Sequence, residues 1–119
     1  MLGCIAGSRL LQLTVAEIDS IVTESDFDIS AIVSGKEPNG IDRCGELWAE
    51  TNNIPLEKEF PPEWSNFNLP KNIVKINQFG KKYNSYAGIY RNHQMVDYLK
   101  EHDGALIVIW RKDSKGSKD

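Results

Sequence analysis

At 119 residues the chain is sized for one domain, long enough to bury a core and too short for two. A formal charge of -3 and an isoelectric point near 5.4 argue against a protein whose main task is coating nucleic-acid backbone, which needs a basic field. Cys4 and Cys44 have no second thiol or histidine at metal-ligand spacing, so both are expected to be reduced packing residues and no metal is expected. No run approaches the roughly 18 apolar residues of a membrane span, and no basic region precedes an apolar secretory core. A cytoplasmic protein with no membrane partner is expected.

Leu2 to Ala6 reads as the first strand, ended by Gly7 where the backbone must turn sharply. Thr14 and Glu17 have capping-box spacing ahead of Ile18, Ile21 and Val22, which predicts a first helix from about Thr14 to Ser25. Ile29 to Val33 is apolar and β-branched, the pattern of a strand covered on both faces. After the turn from Ser34 to Gly40, the run Ile41, Gly45, Leu47, Trp48 and Ala49 predicts a second helix ending at Asn52-Asn53.

Leu56 to Phe60 is a weaker third strand, limited by Pro55 and Pro61-Pro62. Residues 61–86 show no clean period and form a loop insertion that carries Lys71, Lys75, Lys81 and Lys82 with no acidic residue after Glu63. A third helix is predicted over Ile89 to Glu101, and Ala105 to Trp110 is the last strand, apolar throughout. Strands alternating with helices imply an α/β fold, a Rossmann-like three-layer sandwich whose mostly parallel sheet has four or more strands.

Ligands of such sheets bind beyond the carboxyl ends of the strands. That rule gathers Gly7-Ser8-Arg9, the segment Ser34 to Asp42, the chain after Phe60, and residues 111–117 at one edge. Two glycine-bearing strand-to-helix turns at one edge can cradle a phosphate. Arg9 suits a bidentate phosphate contact or a structural salt bridge. Asp42 suits a ribose hydroxyl or the dipole of the second helix. Arg91 and Asn92, at the expected start of the third helix, suit an anion or a cap. Trp64, Tyr83, Tyr86 and Tyr90 are rings for stacking on a base or for packing. Ser8 and Ser34 lie in no nucleophile elbow, and neither His93 nor His102 belongs to a metal-spaced pair.

In order, Ala6-Gly7-Ser8-Arg9, Val33-Ser34-Gly35 with Gly40-Ile41-Asp42, Trp64, Ala87-Gly88 with Arg91-Asn92 and Met95, and Trp110 with Ser114-Lys115-Gly116-Ser117 resemble the SLOG superfamily, in particular its YspA-like, cpYpsA-related branch. The resemblance covers nearly the whole chain. It implies a Rossmann-like sheet, a nucleotide-derived ligand, no further cofactor, and ligand contacts at Gly7, Ser8, Arg9, Ser34, Gly35, Gly40, Asp42, Arg91, Asn92, Ser114 and Gly116. Members include phosphoribohydrolases that release a base from a nucleoside monophosphate, binders of single-stranded DNA, and proteins proposed to sense nucleotide signals in bacterial and phage conflict.

The sequence departs from that pattern at three places. The Ser34 to Asp42 turn is one residue longer than usual, with Lys36-Glu37-Pro38 where small residues are expected. The stretch between Trp64 and Ala87 is an insertion. Family members continue beyond the last glycine-rich turn, so a trimmed chain or completion by another subunit, and hence a homo-oligomer, is expected. The hydrolase glutamate that follows such a turn is missing after Gly116. The expected function is therefore binding of a nucleotide or nucleotide-derived small molecule at the strand ends. A phosphoribohydrolase and a single-stranded nucleic-acid binder are the alternatives, the second of them disfavoured by the acidic total charge.

Overall fold

The computed structural model describes residues 1–110. In chain order the elements are β1 (Leu2–Gly7), α1 (Val15–Ser25), β2 (Ala31–Ser34), α2 (Ile41–Thr51), β3 (Leu56–Glu59), β4 (Val74–Ile76), β5 (Lys82–Asn84), α3 (Tyr86–Glu101) and β6 (Ala105–Ile109). Four strands form a sheet in the order β3-β2-β1-β6, every pairing parallel. No helix among the described residues is long and apolar enough to cross a membrane.

Alternation along the central strands divides the core in two. Ile5, Ile32 and Ile107 face α1 and α2, where Ile18, Val22, Ile41, Cys44 and Trp48 cover them. Leu2, Cys4 and Val33 face the other way and meet Met95 and Leu99 of α3. Burying each large aliphatic side chain contributes about 1.5–3 kcal/mol, so these two layers hold the sheet from both sides. The first layer is also pinned by Trp48 Nε1, which donates to Asp19 of α1 at 3.0 Å.

One helix cannot cover four strands. Beside α3 the edge strand β6 leaves Leu106 and Val108 more than two-fifths exposed, while Ala105 and Ile107 are buried. The last strand, apolar throughout in sequence, is therefore an edge with one open face. The uncovered strip next to α3 becomes a groove.

The chain leaves β1 through α1 toward β2 and β3, then returns through α3 to β6 on the opposite side of β1. This reversal is a topological switch point, and it opens a crevice at the carboxyl ends of β1 and β6. Gly7 is required there by steric fit. A Cβ on it would strike the carbonyl oxygen of Ile109, which also accepts the Ser8 N–H at 3.0 Å.

The 61–86 stretch contains structure that its sequence does not announce, the antiparallel hairpin β4-β5. Its hub is Asn84, fully buried, whose amide shares its two hydrogens among the oxygens of Asn72 at 2.8 Å, Asn66 at 3.0 Å and Lys71 at 3.2 Å. Its oxygen accepts from Ile73 N–H at 2.9 Å and Tyr86 N–H at 3.1 Å. The second bond caps α3 from outside the helix, and Gly88 leaves room for the Trp64 ring packed on it. For these reasons α3 begins at Tyr86, one turn before the expected Ile89.

Candidate functional site

The two glycine turns lock together through their backbones. The Ser8 carbonyl accepts the N–H of Ile41 at 3.1 Å, capping α2 with the turn that follows β1. Gly40 sits between them at a φ of 76°, and a Cβ there would collide with Arg9 Cα and the Ser8 carbonyl. The first N–H of α2 is thus consumed inside the protein. Arg9, in the turn after β1, is exposed.

In the second turn Lys36 adopts the left-handed conformation, φ 60°, where the chain bends away from the end of β2. Ser34 is buried and its hydroxyl donates to Glu46 Oε2 at 2.5 Å while accepting from Lys36 N–H at 3.1 Å. Glu46 also pairs with Lys36 Nζ at 3.3 Å and Arg43 Nη1 at 3.1 Å. Burial pushes the Glu46 carboxyl up, and the bonds from Ser34, Arg43 and Lys36 together outweigh it, so the group ends below the ordinary glutamate range.

One turn earlier on α2, Asp42 has the opposite balance. It is buried, and among the described residues its side chain accepts one hydrogen bond, from Glu37 N–H at 3.4 Å. Desolvation raises its carboxyl above the ordinary aspartate range, and the nearby Arg91 only partly offsets that rise. Arg91, itself buried, donates through Nη1 to the Gly35 carbonyl and through Nε to Asn92 Oδ1 at 2.8 Å. Asp42 and Arg91 flank Gly35: a Cβ there would lie 2.7 Å from Arg91 Nη1 and 3.0 Å from Asp42 Oδ2. Among the described residues the two form no direct ion pair. Beneath them the thiol of Cys4 is pushed up to about 12 by burial and by Asp42, so it stays protonated and is no nucleophile at neutral pH.

Two cavities open at this edge. One, of about 520 Å³, lies in the groove beside α3, with Gly7, Arg9, Glu37, Asp42, Arg91 and Asn92 at its polar end. Met95, Val96, Leu99, Leu106 and Val108 form its apolar remainder. The other, of about 550 Å³, lies between the two turns and is lined by Arg9, Leu10, Leu11, Gln12, Glu37, Asn39 and Gly40. Arg9 and Glu37 belong to both.

The groove therefore collects Gly7, Arg9, Asp42, Arg91 and Asn92, and Gly40 lines the neighbouring cavity. Ser8 and Ser34 line neither: the Ser8 hydroxyl accepts the Leu10 N–H at 3.2 Å within its own turn, and Ser34 faces Glu46. Gly35 is buried under Arg91 and Asp42. Arg91 and Asn92 lie in the second turn of α3, not at its start, so their side chains and not free N–H groups face the groove. Ser114 and Gly116 lie outside the described residues.

Of the aromatics, Trp64 meets Tyr83 edge-on at 6.0 Å, and Tyr86 and Tyr90 pack against each other at 6.3 Å; none lines either cavity. Sequence reasoning missed Glu37 and Glu46. The four-residue spacing of Asp42 and Glu46 on one helix face was the available signal for Glu46. No group of three or more metal-ligating side chains gathers among the described residues.

These features define an α/β protein of Rossmann-like three-layer architecture with a charged groove at its switch point. The chain matches no known protein family, no curated protein and no solved structure.

Proposed function

We propose that this protein binds a nucleotide-derived small molecule in the groove at the carboxyl ends of β1 and β6, in keeping with its resemblance to the SLOG superfamily. One observation carries the reading: two buried side chains of opposite charge, Asp42 and Arg91, face the groove without a direct ion pair, beside the exposed Arg9. Uncompensated burial of a carboxylate is unfavourable, and such groups concentrate where a ligand completes them. Arg9 offers bidentate donors to a phosphate, Asp42 accepts a ribose hydroxyl, and the apolar floor takes a base.

Titration calorimetry with mononucleotides, ADP-ribose, cyclic dinucleotides and a short single-stranded oligonucleotide tests the reading. A small nucleotide should bind, and Arg9→Ala should weaken it by about 1.5–3 kcal/mol. Binding of the oligonucleotide alone, or unchanged affinity in the variant, would refute the reading.

The Asp42 carboxyl, set in an open groove, favours a second reading as a phosphoribohydrolase in which Asp42 orients a water that attacks the sugar carbon as the base departs. Incubating the protein with AMP or NAD separates the two: a released base supports hydrolysis, and intact nucleotide supports binding.

A further inference from the structure

The two cavities differ in chemistry and share one rim. Each, at about 520 and 550 Å³, is large enough to hold a separate nucleoside-sized group, since pockets of roughly 300–1,000 Å³ hold whole drug-sized ligands. The groove beside α3 has an apolar floor of Met95, Leu99, Leu106 and Val108, which selects a flat ring by burial. The cavity between the turns combines Leu10 and Leu11 with the carboxamides of Gln12 and Asn39, which donate and accept hydrogen bonds at a base edge.

Arg9 stands on the shared rim, exposed and in no ion pair among the described residues. Glu37 stands there too. Among the described residues Arg9 is the one cation that lines both cavities, so a single phosphate link at the rim lies within reach of groups seated on either side.

Building on the nucleotide-binding reading above, we infer that the ligand is a two-part nucleotide, its halves joined through one or two bridging phosphates at Arg9 and one half seated in each cavity.

Calorimetry with AMP, GMP, CMP and UMP against NAD, cyclic di-AMP and cyclic di-GMP tests this. At least one two-part ligand should bind at least tenfold more tightly than every mononucleotide. Gln12→Trp, which fills the cavity between the turns, and Val108→Trp, which fills the groove, should each bring that ligand to within threefold of the mononucleotides. Both positions are exposed; circular dichroism and urea midpoints check the fold, and Asn39→Trp and Leu106→Trp replace either variant if it unfolds.

A mononucleotide binding as tightly as every two-part ligand overturns this inference and leaves the nucleotide reading standing. A tenfold advantage that survives both fillings overturns the placement of the halves. Binding by none of the seven probes overturns the inference, and failure of ADP-ribose to bind as well overturns the nucleotide reading.

Discussion

The turn after β1 and the turn after β2 share one local grammar, an apolar strand, a small polar turn and a helix, yet they end in different states. The second turn ties up its polar groups internally. Ser34 and Lys36 bind Glu46, and the Gly35 carbonyl accepts from Arg91. The first gives its Ser8 carbonyl to α2 and keeps Arg9 exposed. Similar sequence signals thus produced a braced scaffold in one place and an available charge in the other. The difference lies in the neighbours: α2 offers Glu46 to the second turn, whereas Arg9 has no ion-pair partner among the described residues.

Substitutions in each turn can break that contrast. Gly7→Ala should be the most damaging, by about 3–5 kcal/mol, because its new methyl group meets the Ile109 carbonyl and neither backbone can yield without disrupting the β1–β6 pairing. Urea unfolding measures it. Gly40→Ala should lose about 2–4 kcal/mol in the same assay, from the left-handed φ and from contact with the first turn.

Ser34→Ala should lose about 1–2 kcal/mol at pH 7, since it leaves Glu46 short of a donor. Glu46 is lowered in the folded state, so the stability it contributes is present above its ordinary value of 4.5 and is lost as the pH falls through the folded value. The Ser34→Ala deficit should accordingly shrink in acid.

Asp42→Asn should move the other way. Asp42 is raised in the folded state, so folding is favoured below its ordinary value of 3.8 and that benefit is lost as the pH rises through the folded value. The variant should be more stable than the parent at pH 7, with the gain vanishing near pH 3.8. Urea midpoints across pH distinguish this from a uniform packing effect, which would leave the gain constant. A stabilising loss of charge is what a site held for binding, rather than for folding, should show.

Arg9→Ala should change stability least, within about 0.5 kcal/mol, since its side chain is exposed and unpaired among the described residues. Thermal melts check this beside the binding assay. A large loss of stability would assign Arg9 to the scaffold and erase the distinction between the turns.

Much of this layout is legible in the chain itself. The apolar runs at Leu2, Ile29 and Ala105, the Thr14 and Glu17 capping box, and the glycines at 7 and 40 are local signals, and each acts within a few residues of itself. The early start of α3 was hidden because its cap comes from the side chain of Asn84 and the Gly88 surface is covered by Trp64. The hairpin within residues 61–86 was hidden for a related reason: its order depends on Asn84 reaching the oxygens of residues 12 to 18 positions earlier.

By itself the sequence determined the alternation of strands and helices and the placement of glycine where backbone must turn, because hydrophobic period and backbone sterics are short-range. Only the tertiary structure decided that Asp42 and Arg91 face each other across Gly35, that Ser34 serves Glu46, and that one helix leaves β6 half open to form a groove. Those outcomes depend on desolvation and on which elements meet. Both are properties of distant residues brought together by the sheet.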